Sequence, residues 1–160
     1  MIVVNLEVVT LPRMSRGQRT LPSFNTVLLY QDLNFGHRAW DFYEKLNCKF
    51  ARDFEFNHLM WSFSILSEPE TFELAERSAA EAHLLVLSFA GTHLPRAIKD
   101  WIERWVRIAK HKPALVTLTD QRASGKAGTV THAYLEKILG SHGIDFFPHG
   151  ASASRVLHLE

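Results

Sequence analysis

Residues 83–90, His-Leu-Leu-Val-Leu-Ser-Phe-Ala, form a short apolar run without alternation near the middle of the chain, flanked on both sides by helical patterns. A strand that faced water on one side would alternate polar with apolar residues. One this uniformly apolar is buried on both faces, as at the centre of a parallel sheet covered by helices. The rest of the chain can then be arranged around it as alternating strands and helices.

The length supports that arrangement. A chain of 160 residues suits one domain, which at this size buries roughly 70% of its unfolded surface and needs no covalent staple. We expect a single α/β domain over residues 24–150, a flexible or arm-like segment over 1–23 and a tail over 151–160. Lys plus Arg is 18 and Asp plus Glu is 17, a net charge of +1, so no electrostatic case exists for nucleic acid or a membrane as partner. Cys48 is the only cysteine, which removes a disulfide framework and a thiolate metal site. Glu7 follows the first apolar residues at once, with no basic region before them, and no apolar run approaches the eighteen residues of a membrane span. The expectation is a cytoplasmic protein.

Pro12, Arg13, Arg16, Gly17, Arg19 and Pro22 break any pattern at the start of the chain, so residues 11–23 read as a basic linker or arm. Residues 26–30 are β-rich and read as the first strand. A turn over 31–34 precedes a helix over about 35–46, with Phe35, Ala39, Phe42 and Leu46 at helical spacing. Residues 48–54 are expected to be the second strand, and the aromatic segment 56–66 a helical turn. Ser67, Pro69 and Glu70 suggest a capping box opening a helix that runs to about Ala82. After the central strand, residues 94–110 carry the clearest helical periodicity: Leu94, Ala97, Ile98, Trp101, Ile102, Trp105 and Ile108 recur at three- and four-residue intervals. Trp101 and Trp105 therefore belong to the core, and burial is also expected for Trp61 and Phe63. Residues 114–119 are the fourth strand, 120–128 a polar loop, 129–139 a helix stopped by Gly140, and 143–147 the fifth strand.

Five strands alternating with four helices imply right-handed crossovers and a three-layer, doubly wound, five-stranded parallel sheet. In this order the chain resembles the response-regulator receiver domain, within the flavodoxin-like class, over about residues 25–148, with strand order 2-1-3-4-5. The resemblance implies an acidic pair after the first strand, where this chain has Gln31-Asp32. It implies a phosphoacceptor aspartate at the end of the third strand, where Ser88 and Phe89 stand and no acid occurs from His83 to Pro95. The hydroxyl residue ending the fourth strand is matched by Thr119. The lysine before a proline after the fifth strand is replaced by Phe147, before Pro148. Without the aspartate, the carboxylate pair and the lysine, neither magnesium nor the developing phosphoryl charge would be held. The chain is thus expected to be a degenerate receiver-like domain that is not phosphorylated. Gln31 to Gly36 holds a single glycine, which does not match the phosphate loop of a flavodoxin either.

In open α/β sheets ligands bind outside the carboxyl ends of the strands, at the switch in strand order. That rule selects Gln31, Asp32, Asn34, Ser88, His93, Thr119 and Asp120 as candidate ligand-binding residues, with Gly91, Thr92 and Gln121 beside them. Ser124, Gly125 and Lys126, at a helix entry, are a weaker candidate for an anion. No glycine elbow surrounds Ser88, so no Ser-His-Asp triad is expected and no catalytic residue is assigned. The nine histidines are scattered and no metal site is expected. No cofactor is assigned. The function expected is a non-catalytic binding or regulatory module acting through protein contacts, with self-association as a homodimer among them. The alternative is a small-ligand binder, for a nucleotide or phosphate, or a small enzyme with its site at the strand carboxyl ends.

Overall fold

A computed structural model describes residues 20–91, 93–120 and 126–148, the side chains of 126–129 excepted. Five strands, β1 (Ser23–Tyr30), β2 (Glu55–Ser62), β3 (Leu84–Phe89), β4 (Ala114–Thr119) and β5 (Asp145–Phe147), form one sheet. Every neighbouring pair is parallel and the order is β2-β1-β3-β4-β5. The crossovers are α1 (Leu33–Phe50), α2 (Pro69–Ala79), α3 (Arg96–Ile108) and α4 (Lys126–Gly140). This is the flavodoxin-like α/β architecture that the element order implies.

The central strand shows why its sequence does not alternate. Leu85, Leu87 and Phe89 join the core under α2, α3 and α4, while Leu84 and Val86 join the core under α1. Val27 and Leu29 of β1 likewise face one core and Leu28 the other. Both faces are dry, so both parities are apolar. Trp101 and Trp105 lie wholly inside, stacked with ring centroids 6.2 Å apart, and the Trp105 indole donates to the Ala79 carbonyl at 2.8 Å. Phe63 is buried and Trp61 packs against the same core.

The second strand lies later than its expected position. Residues 48–50 continue α1, because Ala39, Tyr43, Leu46 and Phe50 prolong its buried stripe by a full turn. The segment expected to be a helical turn, from Phe56 on, is instead β2, paired with β1 from Ser23–Glu55 to Tyr30–Ser62. Its side chains divide between the faces, Phe56 and Met60 towards the α1 core and Trp61 towards the other. Only Ile65–Ser67 forms a short helical turn there, of the 3-10 type.

The capping box does not form. Glu68 caps α2 through its backbone, with φ −90° and ψ 132°. A residue that precedes proline is excluded from the helical region, so Pro69 moves the cap one residue past Ser67. Pro95 likewise delays α3 to Arg96. α4 opens at Lys126, three residues before its expected start, and the turn into β5 is made by Gly143, at φ 72°. Of the basic arm expected over 11–23, residues up to 19 lie outside the described part, as does the tail over 151–160. Among the described residues no helix is long and apolar enough to cross a membrane.

Candidate functional site

The carboxyl ends of β1, β3 and β4 gather most of the residues selected from sequence, and the geometry gives each a task within the fold. The Gln31 amide donates to the Ser88 carbonyl at 3.0 Å, and the Gln31 side-chain oxygen accepts from the Ala90 amide at 3.0 Å. A side chain thereby extends the β1–β3 ladder one step beyond its last backbone pair. Asp32 is the N-cap of α1. Its carboxylate accepts from the Phe35 amide at 3.2 Å, a donor that a helix start leaves free, and its carbonyl takes the first intrahelical bond, from the Gly36 amide at 2.8 Å.

Ser88 is fully buried, and its hydroxyl donates to the Phe35 carbonyl at 2.7 Å. The start of α1 is thus tied to the end of β3 by a side chain. Gly36 lies against the Tyr30 ring, where an added Cβ would sit 3.1 Å from Cδ2. Arg38 reaches across the switch point to donate to the Thr119 carbonyl at 3.4 Å, with its guanidinium 5.1 Å from the centre of the Phe35 ring. Asp120 donates its amide to the Ala90 carbonyl at 3.3 Å. The fold therefore brings Gln31, Asp32, Ser88, Thr119 and Asp120 into one network through α1. Asn34 and His93 are exposed and outside it. Ser124 and Gly125 fall outside the described residues, so only the backbone of Lys126, at the start of α4, bears on the anion reading.

The buried Ser88 hydroxyl spends its proton on a main-chain carbonyl, and the Asp32 carboxylate caps α1. Among the described residues no three His, Cys, Asp or Glu side chains are grouped to hold a metal ion.

Sequence reasoning missed a second polar cluster at the opposite ends of the strands. The His83 ring stacks between His111, at 4.5 Å, and Phe24, at 5.5 Å, and its Nδ1 accepts from the Asn25 amide at 3.0 Å. Burial, and then the charge of His111, push the His83 pKa below the usual histidine value. Glu81 beside it accepts from Lys110 Nζ at 2.7 Å and meets His111 Nε2 at 3.1 Å. Those hydrogen bonds, Lys110 first, hold its carboxyl below the ordinary carboxylate range. The signal was present, since His83 sits one residue and His111 three residues before a strand start, but nothing local says that those starts are neighbours.

An open groove of about 560 Å³ runs between α2 and α3, floored by Leu66, Phe72 and Ala97 and rimmed by Asp100, Arg104 and Arg107. Arg104 is already engaged: both its Nε and Nη2 meet the nearly buried Glu76 carboxylate, at 3.1 and 2.9 Å.

No family model and no curated protein matches the chain. Among solved structures it is similar to a flavodoxin of Streptococcus pneumonia TIGR4, with a TM-score of 0.48 and 12% identity, over 84% of this chain and 92% of that one. The fold assignment rests on the chain's own geometry: five parallel strands in the order 2-1-3-4-5, with helices on both faces, make it a flavodoxin-like α/β protein.

Proposed function

We propose that the chain is a non-catalytic, receiver-like module that is not phosphorylated and acts through protein contacts. One observation carries this reading. Ser88 and Phe89, the two positions at which a receiver would present its phosphoacceptor, are fully buried, and the Ser88 hydroxyl is bonded to the Phe35 carbonyl. The carboxylate that would help hold magnesium, Asp32, caps α1. A site of this kind stabilises a fixed arrangement of α1 on the sheet and engages the Ser88 hydroxyl in holding it.

The test is a heteronuclear NMR titration of the full chain with magnesium and beryllofluoride, then with inorganic phosphate and ATP. The expected spectra are unperturbed at Asp32, Ser88 and Thr119. Saturable shifts centred on those residues with any of these probes would replace the proposal by the small-ligand reading.

A further inference from the structure

We infer that the outer edge of β2 is a self-association surface, on which a second copy of this chain adds its own β2 antiparallel to the first. The inference rests on the protein-contact reading above and names the partner.

The argument starts from the backbone. Strand β2 spans eight residues at the margin of the sheet. The Glu55 amide donates to the Pro22 carbonyl and the Phe63 amide to the Tyr30 carbonyl, both at 2.8 Å. In a parallel ladder alternate residues turn both polar backbone groups to the same neighbour. Residues of that parity, Asn57, Leu59 and Trp61, therefore face β1. Phe56, His58, Met60 and Ser62 direct their N–H and C=O groups outward, where no described strand pairs with them. The opposite margin, β5, has only three residues.

An exposed edge of this length is normally blunted by lysine, proline, a bulge or an inward charge. Between Phe56 and Ser62 there is no charged residue and no proline, and the only charge in β2 is Glu55 at its start. The pairing with β1 runs through all eight residues without a bulge. The same outward residues carry an aromatic strip on the α1 face. His58 lies 4.9 Å from the rings of both Trp40 and Tyr43, and Phe56 is 6.1 Å from Tyr43.

A two-fold axis perpendicular to the sheet keeps the two α1 faces on one side and makes the edge its own complement. Centred on His58, it sets Phe56 opposite Met60 of the other copy and joins the two aromatic strips. Each outward residue then exchanges both backbone hydrogen bonds with its opposite number. An uncharged edge carries nothing that would select a different, charged strand in preference to itself.

The full chain is examined by sedimentation equilibrium with two variants. His58→Pro removes one outward N–H and leaves the β1 ladder intact, which edge strands tolerate. Met60→Lys adds the charge that protected edges carry. The wild type is expected to be a dimer, and each variant to raise its dissociation constant at least about tenfold with an unchanged far-UV circular dichroism spectrum. In a Cys48→Ser background, His58→Cys is expected to form a disulfide-linked dimer on mild oxidation much faster than Ser62→Cys, which reads the register even if His58→Pro fails to fold. A wild type that stays monomeric overturns the inference, as does a monomer whose melting temperature alone falls on His58→Pro, since the edge would then be covered within one chain. A dimer indifferent to both variants, with no preferred cross-link at position 58, also overturns it but leaves the protein-contact reading standing. That reading fails separately, in the titration with beryllofluoride, phosphate and ATP.

Discussion

The Ser88 hydroxyl and the Phe35 carbonyl, 53 positions apart in the chain, meet at 2.7 Å in the interior and fix the first turn of α1 to the end of β3. Buried hydrogen bonds of this kind contribute roughly 0.5–1.5 kcal/mol net. Ser88→Ala should therefore destabilise the fold by about 1 kcal/mol in urea denaturation. Ser88→Asp, which restores the receiver's acid by composition, should destabilise it far more and still bind no beryllofluoride. The carboxylate would enter a fully buried position without its partners.

Tyr30 and Gly36 provide a second test. Alanine is favoured over glycine inside a helix by about 1 kcal/mol, but at position 36 its Cβ would press on the Tyr30 ring. Gly36→Ala alone should gain less than that amount or lose stability. In a Tyr30→Ala background the same substitution should recover the full gain. A double-mutant cycle in denaturant reads the coupling directly, and additivity between the two sites would refute the contact.

Trp105 fills the interior beneath α2 and spends its indole N–H on Ala79. Trp105→Ala should cost about 3–5 kcal/mol, close to the whole stability of many domains. Trp105→Phe keeps most of the volume but leaves the hydrogen bond unmade, and should cost less. Calorimetric melting of both variants gives the ranking.

Acidification should weaken the protein through His83. Its folded-state pKa lies below the ordinary value of 6.5, so above 6.5 the ring is neutral whether the chain is folded or not and contributes no pH dependence. Below 6.5 the unfolded chain takes up the proton first, and stability falls as the pH drops through the folded-state value. Protonation at Nδ1 would also displace the Asn25 amide. Glu81, with its pKa lowered, adds a loss of the same sign at more acid pH, below the ordinary carboxylate value. Denaturation midpoints across this range should be flat above 6.5 and decline below it, and an NMR titration of the His83 ring should report a pKa under 6.5.

What the sequence determined by itself is the part of the fold written in local periodicity. Residues 84–89 are apolar at both parities because both faces are covered, and the repeat through Ile98, Trp101, Ile102 and Trp105 has one helical solution. Alternation of such elements implies a parallel sheet, and the 2-1-3-4-5 order follows the resemblance. What only the tertiary structure decided depends on partners distant in the chain. β2 is a margin strand whose mixed aromatic and polar residues have no clear period until α1 is known to run on to Phe50. The candidate site went the same way. Gln31, Asp32 and Ser88 are polar residues at strand ends whichever role they serve, and a hydroxyl available for chemistry has the same letter as one bonded to a carbonyl. The difference is which atom lies within hydrogen-bond reach. For Ser88 that atom belongs to Phe35, on a helix that only the folded chain brings to it.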